Sequence, residues 1–267
     1  MFLLITTYYQ STEPEREAEN LECLKQNINN PLIERIYLFL QGNDFPEIVD
    51  IDSKIKYINF GKRPFFSDLF AFANTIENNK IKIVSNSDIY FDGSLIYSND
   101  ILDKFDVITL TRWDSLGNGE LDFYNNFKSQ DVWIFSKRIK DTIGKFHIGR
   151  HGCDNRLIFE LNENKYKVAN PSFSIRAIHL HRSDLRSYFN DPDYEYVKAP
   201  YGYVLPTYLN KGDLNSKVLK KQFYFTRYSY YRALRGNKLP GLHLGLISRL
   251  MGLVAEKFYA IKVKKFG

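Results

Sequence analysis

Asn86-Ser87-Asp88 interrupts an apolar stretch, Lys80 to Asp92, abruptly. Lys80 to Val84 reads as a short buried strand, and Ile89, Tyr90 and Phe91 resume the apolar character behind the break. A buried strand that ends in Asn-x-Asp presents two oxygen-bearing side chains at a sheet edge. In open α/β sheets, ligands bind beyond the carboxyl ends of the strands. A hard cation such as Mg²⁺ or Mn²⁺ takes carboxylate and carbonyl oxygens and brings phosphates with it. Asn86 and Asp88 are therefore candidates for a site that holds a dication and a diphosphate. The plainer alternative is an Asx-turn after an edge strand, with Asp92 capping the next helix.

A β/α alternation must position that turn. Leu3–Thr6 reads as the first strand. Thr12-Glu13-Pro14-Glu15 fits a helix start, with Thr12 as N-cap. That helix runs to about Asn27, with Ala18, Leu21, Leu24 and Ile28 on its apolar face. Ile33–Leu40 and Ile55–Ile58 are the next strands. Pro64 opens a helix carrying Leu69, Phe72, Ala73 and Ile76, and Ile81–Val84 follows as a strand. This order predicts an α/β domain with a Rossmann-like nucleotide-binding sheet flanked by helices. Downstream, a helix is expected over Ser94–Leu102, strands over Val107–Leu110 and Val132–Phe135, and a polar loop over Arg112–Lys128. A glycine-opened helix is expected over Gly152–Leu161, short strands over Lys167–Ala169 and Ser174–His179, and a surface loop over Tyr188–Asn210.

Bulk properties narrow the class. The chain has 267 residues, enough for one large domain with an appendage. Its two cysteines, Cys23 and Cys153, are too few for a disulfide framework and lack metal-site spacing, which favours a reducing compartment. Met1-Phe2-Leu3-Leu4-Ile5 has no basic leader, and its apolar run stops at Thr6, so it reads as a strand and not a signal peptide. No stretch approaches the roughly 18 apolar residues of a membrane span. A cytoplasmic protein is expected.

Several stretches, in this order, resemble the GT-A-fold glycosyltransferases, and more narrowly small bacterial and viral enzymes of surface-polysaccharide assembly. They are Glu15-Arg16 through Glu19 with Cys23-Leu24, Arg63-Pro64-Phe65-Phe66-Ser67-Asp68-Leu69-Phe70, and Asn86 through Asp92. Further along come Ser129-Gln130-Asp131-Val132-Trp133-Ile134-Phe135, Gly152-Cys153-Asp154-Asn155-Arg156, and His179-Leu180-His181. The resemblance covers roughly residues 2–186. It implies a nucleotide-sugar donor, with Thr6 and Thr7 contacting the base and Arg63 and Asp68 opening the helix that faces the nucleotide. It also implies that Asn86-Ser87-Asp88 stands at an Asp-x-Asp position holding Mn²⁺ or Mg²⁺, with Asp88 as the main carboxylate because Asn86 is neutral. His179 or His181 stands where such enzymes supply a further metal ligand.

Glycosyl transfer needs the departing diphosphate neutralised, which a dication does as a Lewis acid. Inverting transfer also needs a base for the acceptor proton. Asp154 and Asp131 are the candidates. Asp154 sits at an expected helix start, where the macrodipole favours its charged form, and the resemblance implies the base at that position. Asp131 precedes a buried aromatic strand and is the alternative, or an acceptor ligand. Plain capping roles are open for both.

Charge divides the chain. Leu214 to Gly267 holds twelve Lys/Arg and one acid, Glu256, so this segment carries +11 of a total of +6 and leaves −5 for residues 1–213. Lys217–Lys238 interleaves aromatics with basic residues, and Ile247, Leu250, Met251, Val254, Phe258 and Ile261 fall on one helical face. Such a segment suits an anionic membrane surface. The expected organisation is a catalytic domain at 1–213 and a basic, membrane-associating segment at 214–267, placed at the inner face of the membrane near a glycan or lipid-linked acceptor. A nucleic-acid partner is not expected, because the body is acidic. Two other readings stay open: a catalytically silent nucleotide- or sugar-binding protein of the same fold, and an oligonucleotide binder using the tail.

Overall fold

The computed structural model describes residues 1–42, 54–76, 79–116, 119–124, 126, 128–180 and 196–209, with the backbone of 219–220. Seven strands form the main sheet: β1 (Phe2–Tyr8), β2 (Ile33–Leu40), β3 (Ile55–Asn59), β4 (Ile81–Ser85), β6 (Val107–Leu110), β9 (Val132–Phe135) and β10 (Val168–Ala169). Their order is β10-β6-β9-β4-β1-β2-β3. All run parallel except β9, which is antiparallel to both β4 and β6. Val132 at the start of β9 is register partner to Ser85 at the end of β4 and to Leu110 at the end of β6. Three connecting segments therefore meet at one sheet edge, the edge where ligands bind in open α/β sheets.

The expected mixed sheet flanked by helices is the one formed. Its inner strands bury both faces, so successive side chains serve two cores, while β3 at the edge is largely exposed. Leu38, Leu40, Ile83 and Ile134 pack on one face with Leu24 and Ile28 of α1 (Pro14–Asn29) and with Ile101 of α3 (Ser98–Leu102). Phe39, Val84, Trp133 and Phe135 pack on the other with α2 (Phe66–Thr75) and α4 (Cys153–Glu163).

A second sheet crosses the site, in the order β5-β11-β7-β8. It consists of β5 (Ile89–Phe91), β7 (Trp113–Ser115), β8 (Leu121–Phe123) and β11 (Ala177–Leu180). The polar loop expected at Arg112–Lys128 thus contains a hairpin. Two three-residue strands are too short to show a period of two, which is why the pattern missed them. The expected helix over Ser94–Leu102 begins as a 3₁₀ turn, Gly93–Tyr97, capped by Asp92, whose Oδ1 accepts from the Ser94 N–H at 2.9 Å.

Two other expectations are corrected. Thr12 does not cap α1: Glu13 holds the N-cap position and Pro14 the first helical one. Residues 196–209 are not a surface loop, because Val197, Tyr201, Tyr203 and Val204 are buried and β12 (Gly202–Tyr203) packs along α4. Residues 181–195 and all of 214–267 except β13 (Leu219–Lys220) lie outside the described residues. The backbone of β13 pairs antiparallel with β12. Among the described residues, no helix is long and apolar enough to cross a membrane.

Candidate functional site

The α1 face that meets the sheet edge is polar where the sequence suggested an apolar stripe. Ala18 is exposed, whereas Glu19, Asn20, Cys23 and Asn27 are buried. The reason lies in what the helix covers. Strand β5 is an edge strand with one free ladder, and buried backbone groups need partners. Asn27 donates to Ile89 O at 2.8 Å and accepts from Phe91 N at 3.2 Å, and Asn30 donates to Phe91 O at 2.9 Å. Helix α1 thereby fixes the strand that follows the Asn86-Ser87-Asp88 turn.

One helical turn from the buried Asn20, Arg16 Nη2 donates to Asp88 Oδ2 at 2.6 Å. His179 Nε2 lies 3.3 Å from the same oxygen. Asp88 Oδ1 is buried and accepts no hydrogen bond. Burial by itself would raise the Asp88 carboxyl, but His179 and Arg16 outweigh it and hold the group far below the usual carboxylate range. Burial opposes the His179 imidazolium, yet Asp88 and Asp114 outweigh that effect and push its pKa up to about 9.

His179 and Asp114 are register partners on β11 and β7, and His179 Nδ1 lies 3.0 Å from Asp114 Oδ1. The same oxygen accepts from Arg112 Nε at 2.9 Å. Arg112 Nη1 lies 3.9 Å from Asp131 Oδ2, and its guanidinium carbon sits 4.3 Å from the centroid of Tyr124. Asn86 closes the circuit. Its amide donates to Asp131 Oδ1 at 2.8 Å, and its backbone N–H donates to Asp131 O at 3.1 Å. The result is a ring, Asp88–His179–Asp114–Arg112–Asp131–Asn86, that returns to its start through Ser87.

Asn86 has a clear electrostatic role here. A carboxylate at that position would face Asp131 at hydrogen-bond distance, and two like charges there repel. The amide supplies a donor instead.

Asp154, in the first turn of α4, is half-buried. Burial, with the charge of Asp131 adding to it, pushes Asp154 up to about 8. The Cys153 thiol, 3.0 Å from Asp154 Oδ1, and the Gln130 backbone favour the charged form but do not prevail. The expectation that the helix macrodipole keeps Asp154 ionised is therefore reversed. Asp131 is also raised, by burial, with Arg112 opposing.

Gly152 seats this helix start. Its φ is +83°, and a Cβ there would lie 2.8 Å from Val197 O and 2.9 Å from the Tyr201 hydroxyl. Only glycine takes that conformation against that wall without strain.

The other residues singled out by sequence are distributed unevenly. Thr6 is 5% exposed and donates to Ser85 O at 3.0 Å, zipping β1 to β4. Thr7 and Ser87 line a small cleft with Asn20, whose two amide atoms are buried without hydrogen-bond partners. Arg63 reaches Ile148 O at 3.4 Å, and Asp68 caps α2 by accepting from Phe65 N at 2.8 Å. The ring's hydrogen bonds among the described residues do not extend to these two. His181 lies outside the described residues. Sequence reasoning missed Arg16, Arg112 and Asp114 as site residues. The signal was present: Arg112 and Asp114 follow the carboxyl end of a buried strand, as Asn86 does.

Among the described residues no cluster of three His, Cys, Asp or Glu side chains is arranged to hold a metal ion. Asp88 Oδ1, however, is an orphaned buried acceptor, the other carboxylate oxygen lies 3.3 Å from His179 Nε2, and Asp114 anchors the other ring nitrogen, as carboxylates do behind metal-bound histidines. These two ligands fit a cation that would take the place of the Nε2 proton, with its remaining positions filled by substrate phosphates and water.

No protein-family model and no curated protein sequence matches this chain. Among solved structures it is similar to residues 1–349 of TarS from S. aureus in complex with UDP-GlcNAc. The identity is 10% over 69% of this chain and 59% of that one, with a TM-score of 0.42. It is also similar to the inositol-1-phosphate CTP transferase from T. maritima, at 10% identity over 70% of this chain and 91% of that one, with a TM-score of 0.43. A third likeness is to 4-diphosphocytidyl-2C-methyl-D-erythritol synthase from Anaerococcus prevotii, at 14% identity over 66% and 89%, with a TM-score of 0.39. The chain spans under two thirds of the TarS structure.

Proposed function

We propose that this chain is a transferase that moves a sugar from a nucleotide-sugar donor to an acceptor hydroxyl with inversion at the anomeric carbon. The observation that carries the reading is the ring itself. It joins a charged, cation-lined turn at Asp88 to the buried carboxyl of Asp131, whose charge is felt by Asp154 at the start of α4. A group transfer from a diphosphate needs these two environments side by side.

Asp154 is the catalytic base. In the reaction the acceptor O–H proton passes to Asp154, the acceptor oxygen bonds to the anomeric carbon, and the bond from that carbon to the diphosphate oxygen breaks. Arg16 and His179 place positive charge where the leaving group gains negative charge. A divalent cation held by Asp88 and His179 would displace the imidazolium proton, take over its charge and supply Lewis-acid neutralisation of the diphosphate. Asp131, held by Asn86 and faced by Arg112, orients the acceptor.

The acceptor class follows from the tail. A glycan or lipid-linked acceptor at an anionic membrane surface suits the +11 segment after Asp213. Each engaged Lys or Arg contributes about 1 kcal/mol, so four or five hold the protein on anionic vesicles at low salt. Cosedimentation of the full chain with such vesicles checks this, and failure to bind them refutes it.

The donor reading is tested by a thermal-shift panel of nucleotide sugars with and without Mn²⁺. A ligand that binds only the folded state raises apparent stability. One nucleotide sugar should raise the melting temperature and be consumed. A panel in which none does either refutes the reading.

A further inference from the structure

Asp114 stands in no motif that the chemistry above uses, yet it occupies the middle of the ring. Its Oδ1 is the shared acceptor for His179 Nδ1 at 3.0 Å and Arg112 Nε at 2.9 Å. His179 turns its other nitrogen to Asp88, and Arg112 turns another nitrogen toward Asp131. We propose that Asp114 is a positioning residue serving both halves of the site, fixing the donor-side ligand His179 and the acceptor-side cation Arg112 through one oxygen. The inference rests on the transferase reading and deepens it.

The physical argument is geometric. An imidazole ligates with one nitrogen, and which one is free depends on the hydrogen bond the other makes. A carboxylate against Nδ1 keeps the proton there, so the proton that a cation would displace is the one on Nε2, which faces Asp88. The pairing is built into the sheet, because His179 and Asp114 are cross-strand register partners. On the other side, a guanidinium has its donors in a rigid fork. Fixing Nε on Asp114 with the guanidinium carbon over the Tyr124 ring therefore determines where Nη1 points. His179 is buried and Arg112 half-buried, with side chains 5% and 16% exposed.

The test compares Asp114→Asn, Asp114→Glu and Arg112→Gln in the full-length protein. Binding of Mn²⁺ alone is read by electron paramagnetic resonance. The kcat and KM for acceptor are read with the donor that passes the thermal-shift panel. Loss of an outer-shell partner lowers metal affinity or activity by about 10–100-fold. Asp114→Asn should weaken Mn²⁺ binding by that factor and also raise acceptor KM or lower kcat. Arg112→Gln should change the acceptor parameters while leaving Mn²⁺ affinity near wild type. Asp114→Glu, which keeps the carboxylate, should recover most of both. The proposal is overturned if Asp114→Asn leaves Mn²⁺ affinity unchanged, if wild type binds no Mn²⁺, or if all three variants lose both properties equally, as a purely structural defect would. A wild-type protein that binds Mn²⁺ but consumes no nucleotide sugar would instead count against the transferase reading.

Discussion

Asp88 and Asp154 are carboxylates of the proposed site, and the protein treats them in opposite ways. Asp88 is buried between a guanidinium and an imidazole and is held ionised far below the usual range. Asp154 feels the charge of a second carboxyl and is pushed up to about 8. Burial opposes ionisation of both, so the neighbours decide the outcome. An ionised group beside cations is suited to a cation and phosphates. A carboxyl that gains its proton near neutral pH is suited to proton transfer. The comparison teaches that residue type selected both candidates, while the charges around each assigned them different work.

The sharpest way to break the comparison is to remove the proton acceptor. Asp154→Asn is nearly isosteric and should reduce turnover by about 10²–10⁴-fold with donor affinity little changed. Single-turnover assays together with donor titration check this. Equal losses in both would make Asp154 a binding residue.

Asp88→Ala attacks the other side. It leaves Arg16 and His179 facing each other without their shared anion. Removing one partner of a buried pair costs about 3–5 kcal/mol. The lower end is expected because the Arg16 side chain is a quarter exposed. Mn²⁺-dependent donor binding should disappear, as measured by thermal shift with and without the metal. Unchanged Mn²⁺-dependent turnover would remove Asp88 from its role.

Gly152→Ala perturbs the start of α4 without touching a charge. A left-handed backbone costs a residue with a Cβ about 1–2 kcal/mol, and the contacts at Val197 and Tyr201 add to that. Chemical denaturation should show a loss at least that large, with turnover falling as the start of α4 moves.

Asp154 also leaves a smaller mark on stability. A carboxyl with a raised pKa in the folded state binds more protons there than in the unfolded chain, where it titrates near 4. Stability from this group therefore falls as pH rises from about 4 toward 8. The melting temperature of Asp154→Asn relative to wild type should increase between pH 6 and 9. A difference that does not vary with pH would show that Asp154 is not raised.

Much of the scaffold was legible because buried strands are written as apolar runs. Leu3–Thr6, Ile33–Leu40 and Val132–Phe135 read as strands and are strands, the first extending to Phe2–Tyr8, and breaks in such runs exposed Asn86, Asp88 and Asp131. What escaped was set by tertiary contacts. Arg16 and Asn27 belong to a helix face whose polarity makes sense only once β5 and the Asp88 turn lie beneath it. Arg112 and Asp114 fall in a stretch whose Gly and Asn content suggested loop, and the strands there are three residues long. The charge state of Asp154 was misjudged because the helix end was visible in sequence and the burial was not. Asp68, by contrast, was singled out by resemblance and takes part in a local cap.

The pH dependence of kcat/KM for the acceptor tests the contrast between the two carboxyls most directly. The wild-type profile should rise through an acid limb with an apparent pKa near 8, a value that belongs to the coupled Asp131–Asp154 pair. The residual activity of Asp154→Asn should lack that limb. A limb near 4 in the wild type, or the same limb surviving in Asp154→Asn, would contradict the assignment of Asp154 as the base.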